Sequence, residues 1–177
     1  MNKIVILLSI ITFTISGCWQ TVKKDNFGNK QNPLCGKNIK DIPELKPWNN
    51  YGSVIKAGGE NEYGGYKFGI SLFKDDNEDI ICVFTEHLEY DENGIPENKL
   101  LDTINIGILK DMEKLNYCSC RQDKIIDSEI IAIAIMEEKA FFNKIIKAWR
   151  ADTKTGRIES IKNLKGIDCE NYGFGEF

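Results

Sequence analysis

Tyr66-Lys67-Phe68-Gly69-Ile70-Ser71-Leu72, and after it Ile80-Ile81-Cys82-Val83-Phe84-Thr85, decide the fold class of this 177-residue chain. In the first stretch Tyr66, Phe68, Ile70 and Leu72 alternate with Lys67, Gly69 and Ser71, the two-residue period of a half-buried strand. In the second, Ile80, Cys82, Phe84, Leu88 and Tyr90 share one face and Ile81, Val83, Thr85 and His87 the other. The polar run Lys74-Asp75-Asp76-Asn77-Glu78 between them reads as a hairpin loop. Asp91-Glu92-Asn93-Gly94 supplies a second turn, because Asn and Gly tolerate the left-handed backbone such turns need. Two turns and two alternating runs predict an antiparallel sheet.

Towards the C-terminus, Ile104, Ile106 and Ile108, and then Leu115 to Arg121, predict further strands. Ile130 to Met136 is the central candidate, with Ile131, Ile133 and Ile135 on one face and Ile130, Ala132, Ala134 and Met136 on the other. A strand apolar on both sides is expected to be covered on both, and its small alanine face predicts close approach by another element. Phe141, Phe142, Ile145, Ile146 and Trp149 follow helical spacings, and Asp152-Thr153-Lys154-Thr155-Gly156 is a turn leading to a returning strand, Arg157 to Ile161. The segment 141–151 could be helix or strand; a short helix leading into a hairpin satisfies both signals. The predicted fold is α+β: mainly antiparallel β-sheet with one or two short helices, in a single disulfide-stabilised domain over residues 48–177. Upstream, residues 18–47 are polar and broken by Gly28, Pro33, Pro43 and Pro47. With little apolar periodicity to offset ordering entropy, they read as a tether, with Cys35 placed to pin its far end.

The first seventeen residues have a different character. Lys3 precedes an apolar run from Ile4 to Ile15, followed by Ser16-Gly17-Cys18. The run is shorter than the roughly 17 to 25 residues a spanning helix needs, so it reads as a removed signal. Ile15-Ser16-Gly17-Cys18 resembles the lipobox of bacterial lipoproteins, an apolar residue and two small ones before a cysteine. The resemblance covers only these residues and the signal before them. It implies a type II signal peptide over residues 1–17, cleavage before Cys18, a diacylglycerol thioether on Cys18 and usually a further acyl chain such as palmitate on the new amino group. Since each buried methylene contributes about 0.8 kcal/mol and one chain anchors only marginally, two or three chains give stable residence. Trp19 stands where aspartate would signal inner-membrane retention, so the same analogy implies an outer-membrane destination in a cell that has one.

Loss of Lys3 with the signal leaves the mature chain one unit more negative than the full chain's −4. Its lysines are interspersed with acids, without the basic footprint that nucleic acid requires. Besides Cys18, the chain carries Cys35, Cys82, Cys118, Cys120 and Cys169. In an oxidising compartment these five are disulfide candidates. An odd count leaves at least one unpaired. Cys118 and Cys120 would share a face if their segment were a strand, poorly placed to bridge each other, so one is expected to reach another segment such as that of Cys169. Zinc is disfavoured by the C-x-C spacing and the single histidine, His87.

The candidate chemistry is sparse. Asp75, Asn77, Asp79 and Glu86 occupy oxygen positions of an EF-hand-like loop, but Ile80 stands where glycine makes the sharp turn, so a solvated hairpin tip is the better reading. Any hydrolase would pass through His87, yet Ser71, Ser119 and Ser128 lie in no nucleophile-elbow motif. A carboxylate-pair glycosidase finds no residues that sequence can single out. Tyr63, Tyr66, Trp149, Tyr172, Phe174 and Phe177 could form a recognition patch, the glycine-rich C-terminal segment most readily. No catalytic residue, metal or cofactor is predicted. The expectation is a lipid-anchored envelope protein with a small protein-binding domain, one form being an immunity-type protective protein. A structural envelope lipoprotein is the alternative, and a cell-wall hydrolase a more distant one.

Overall fold

A computed structural model of the chain describes residues 34–45, 49–60, 66–90, 92, 94 and 96–174. Its strands are β1 (Asn49–Glu60), β2 (Tyr66–Lys74), β3 (Ile80–Tyr90), β4 (Pro96–Gly107), β5 (Glu113–Tyr117) and β6 (Cys120–Gln122). They continue as β7 (Ile125–Ile126), β8 (Ile130–Ile135), β9 (Phe141–Phe142), β10 (Ile145–Asp152), β11 (Arg157–Ser160) and β12 (Ile167–Glu170). Three four-stranded sheets result: a first sheet in the order β1-β2-β3-β4, a central sheet β11-β10-β8-β5 and a third sheet β7-β6-β12-β9. Each pairing within them is antiparallel. Among the described residues the helical structure is two 3₁₀ turns of three residues each, Ile39–Asp41 and Pro43–Leu45.

The first sheet is the meander that the alternating runs predict. Asp75 makes its β2–β3 turn: one carboxylate oxygen accepts from the backbone N–H groups of Asn77 and Asp79, both at 2.9 Å. Glu78 takes the left-handed conformation that closes the turn, at φ 68°. On β3, Cys82 and Phe84 face inward while Val83 faces outward, and all three are fully buried. The outward face is covered by the segment before β1, where Ile42 and Leu45 pack with Phe73, Val83 and Leu100. Gly36 N–H donates to Leu100 C=O and Leu100 N–H to Lys37 C=O, each at 2.8 Å, extending the sheet past β4. Residues 34–45, expected within the tether, are therefore folded onto the domain. The polarity that suggested a linker conceals Ile42 and Leu45, two apolar positions whose cover is another part of the chain.

Strand β8 organises the rest. Ile130, Ile131, Ala132, Ile133 and Ala134 are all buried. Ile131 joins Phe68, Ile70, Cys82, Phe84, Ile104, Ala151 and Ile158 in a core between the first and central sheets. Ile130 and Ala132 face the opposite way, into a second core with Ala148, Ile167 and the Cys120–Cys169 bridge. The central sheet is thus covered on both faces, and the alanines leave room for the disulfide that lies against them.

The helix expected within 141–151 is strand instead. Phe141 and Phe142 pair with β12 and Ile145 to Asp152 with β8 and β11. A register shift between Ile145 and Lys147 breaks the two-residue alternation. Ile145 and Ala148 consequently face the second core while Trp149 and Ala151 face the first. That bulged spacing of three, one and two imitates a helical stripe. Leu115–Arg121, expected as one strand, is two: Cys118 at φ 59° turns the chain from β5 in the central sheet to β6 in the third.

Cys120 and Cys169 are directly opposed on β6 and β12, with Cα atoms 3.9 Å apart, so one of the Cys118/Cys120 pair does reach Cys169. Closing a loop of 49 residues contributes about 4 kcal/mol in the chain-entropy account. Truncating Ile131 to Ala empties space in a core that cannot collapse from either side. Ile131→Ala is expected to cost about 2–5 kcal/mol, read as a lower denaturant midpoint at unchanged m-value; a cost below about 0.5 kcal/mol, typical of an exposed position, would contradict its placement.

Candidate functional site

The surface feature that stands out chemically is the tip of the third sheet. Asp123 and Lys124 both take the left-handed conformation, φ 51° and 69°, the geometry of a two-residue hairpin turn that matches strand twist. It joins β6 to β7, an edge strand of two residues, Ile125 and Ile126, which are 73% and 74% exposed. Isoleucine ranks among the residues most often found inside, so two adjacent ones this exposed are informative.

The tip is held from beneath. Asp123 N–H donates to Gly166 C=O at 2.8 Å, and the Gln122 amide donates to Lys165 C=O at 3.1 Å and to the Asp123 carboxylate at 3.2 Å. Gly166 sits at φ 83°, and a Cβ there would collide with the Asp123 carboxylate and the Gln122 amide. Those side-chain ends can shift, and it is the left-handed backbone at this position that favours glycine. Behind the turn lies a solvent-open hollow of about 470 Å³ whose lining includes Lys124, Asn143, Lys165 and Asp168.

Next to the tip, Arg121 and Asp168 face each other across β6 and β12 and form two parallel bonds of 2.6 and 2.7 Å. The guanidinium carbon lies 3.4 Å from the centre of the Phe141 ring. Hydrogen bonding to Asp168 is the main cause that raises the Arg121 pKa above its usual value. Stacked and paired, this arginine braces the hairpin rather than standing open to an incoming anion. A second network does the same at the start of β8. Arg150 bonds Asp127 at 2.5 Å and Glu129 at 2.9 Å, while the other Glu129 oxygen accepts from the Thr153 hydroxyl at 2.6 Å. The bond to Asp127 is the leading cause of a raised Arg150 pKa. These two carboxylates share one cation and hold a turn.

The other residues read from the sequence are scattered. His87 lies near the end of β3, its Nδ1 3.3 Å from the Asn98 side-chain oxygen and its ring edge-on to Tyr90. Ser71 pairs with Val83, four positions away along β3, Ser128 is buried beside β8, and Ser119 lies in the corner before β6. The structure does not gather His87 and these hydroxyls into one site. Glu86, the twelfth position of the calcium-like loop, lies 3.4 Å from both Lys67 and Lys99, on the strand rather than at the Asp75 turn. Among the described residues no cluster of three or more His, Cys, Asp or Glu is placed to hold a metal ion. Cys35 donates to Leu101 C=O at 2.8 Å, fastening the segment before the 3₁₀ turns. Tyr172 and Phe174 are exposed, Trp149 is half-buried against the first core, and Tyr63, Phe177 and Cys18 lie outside the described residues.

Sequence reading missed Ile125 and Ile126 because two residues carry no periodicity. Their signal is the turn pair Asp123-Lys124 with too few residues behind it to build a buried face. Comparison with known protein families, curated proteins and solved structures finds no match to this chain.

Gly166→Ala, which both strains the backbone and pushes against the turn, is expected to destabilise the domain by more than about 1 kcal/mol. Thermal melting checks this, and an unchanged midpoint would show that the latch beneath the hairpin is not closed.

Proposed function

We propose that this chain is a bacterial envelope lipoprotein, anchored through lipid on Cys18, whose β domain binds another protein. The anchor reading is supported by the apolar run Ile4 to Ile15 and by Ile15-Ser16-Gly17-Cys18, which follow the lipoprotein pattern. The oxidised pair Cys120–Cys169 is in keeping with an exported chain. Trp19 favours the outer membrane where the cell has one.

The observation that carries the binding reading is the exposed pair Ile125–Ile126 on a braced hairpin. Apolar side chains on a pre-ordered tip lose little conformational entropy on docking, and burying each contributes about 1.5–3 kcal/mol. The acidic mature chain suits a basic partner, and such a partner would be drawn in faster at low salt. One concrete form is an immunity-type protein that neutralises a toxin acting on the envelope. A structural envelope role is the second reading, supported by the same anchor and by a domain whose ion pairs serve its own turns. A cell-wall hydrolase is third, without a residue set to carry it.

The test has two arms. Cys18→Ala should abolish fatty-acid labelling and move the protein from the membrane fraction to the soluble one; retention in the membrane would refute the anchor. The released mature chain, used as bait on envelope and secreted proteins, should retain a partner in stoichiometric amount, and Ile125→Asp with Ile126→Asp should weaken that capture at least tenfold without changing the melting midpoint. Capture unaffected by the double change would remove the hairpin tip from the account.

A further inference from the structure

The core between the first and central sheets contains two thiols among its aliphatic and aromatic side chains. Cys82 lies mid-strand on β3, opposite Leu72 of β2 and Ile104 of β4, and is fully buried. Cys118 stands at the corner after β5, where its positive φ departs from strand geometry. The two-residue alternation therefore fails between Cys118 and Cys120. Cys120 enters the second core, whereas the half-buried Cys118 packs against the first, the cluster that holds Cys82. Burial, and then charge on Cys118, push the Cys82 thiol well above its usual pKa; Tyr117 is raised by burial and then by both cysteines. Cys82 is a member of this one cluster, and Tyr117 and Cys118 both pack against it. The Cys120–Cys169 bridge joins two strands of the third sheet and does nothing to tie the first sheet to the central one.

We propose that Cys82 and Cys118 form a second disulfide, which covalently joins the first sheet to the central sheet. One thiolate attacks a disulfide-bearing oxidant and releases one of its sulfurs as a thiol. The other cysteine then displaces the second sulfur. One S–S bond forms in the protein, each cysteine loses a proton, and the two electrons reduce the oxidant to a dithiol. The oxidant belongs to the compartment outside the cytoplasm, so this step rests on the export reading above. Because burial keeps Cys82 protonated and out of reach in the folded domain, the bond closes while the two sheets come together. It then constrains the unfolded chain across the β3 to β5 region, which the first bridge leaves outside its loop.

The exported full-length protein is denatured in acid, its thiols are alkylated, and it is digested without reduction for mass spectrometry. Cys118 and Cys120 share one peptide, so the expected product is a three-peptide assembly in which that peptide is joined to both the Cys82 and the Cys169 peptides, with Cys35 alkylated. Cys118→Ser, a change at a half-buried corner, should release the Cys82 peptide and keep the Cys169 peptide attached. If Cys169 is bridged while Cys82 and Cys118 are both alkylated, the proposal is overturned and the export reading stands. If all four cysteines are alkylated, both fall. Attachment of Cys82 that survives Cys118→Ser, or a Cys118 link to Cys35, also overturns it.

Discussion

Buried positions along β8, from Ile130 to Ala134, leave that strand with no face for water to cover. Its backbone is satisfied sideways by β5 and β10, and its side chains require an apolar layer above and another below. The first sheet meets Ile131 on one side; the third sheet meets Ile130 and Ala132 on the other. The layering then propagates outward, since β3 also buries both faces and draws Ile42 and Leu45 over its outer side. A chain of this size thereby orders its sheets around one doubly covered strand.

Passing from layer to layer requires sharp corners, and those corners are made by residues that sacrifice ordinary backbone geometry. Cys118 turns the chain out of the central sheet and Asp123 with Lys124 return it within the third, all at positive φ. Non-glycine residues pay for such conformations, and the neighbouring contacts hold them: the Gly166 latch, the Arg121–Asp168 pair stacked on Phe141, and the Cys120–Cys169 bridge. Between the central and first sheets Asp102 plays the corresponding part, one oxygen accepting from Ile158 N–H at 2.8 Å across the layers. The same bracing leaves Ile125 and Ile126 rigidly displayed, which links the way this fold changes direction to the surface it offers a partner.

Much of this was legible in residue patterns. The alternation around Ile70 and Phe84, the turn at Asp75, the turn at Asp152 and the double apolar face of β8 correspond to the strands and hairpins observed. Cys169 as the partner of one of the C-x-C cysteines was legible too, because a cross-strand bridge needs a second segment. Four features were not. The β10 bulge disguised a strand as a helix, since a single extra residue converts spacings of two into spacings of three. Positive φ at Cys118 cannot be read from its side chain, so one strand was expected where two occur. The cover on β3 was hidden because Ile42 and Leu45 lie in a polar segment, and their burial depends on a surface far along the chain. The exposed tip escaped for the same reason, as exposure of an isoleucine is a property of what fails to pack on it.

Residue-resolved amide hydrogen exchange of the mature domain tests most directly that β8 is the doubly covered centre of the fold. The account predicts that amides from Ile131 to Ala134 are the slowest in the chain and exchange only when the whole domain unfolds, while those of Ile125 and Ile126 exchange through local opening. Exchange at β8 as fast as at the hairpin tip, or faster than throughout the first sheet, would contradict it.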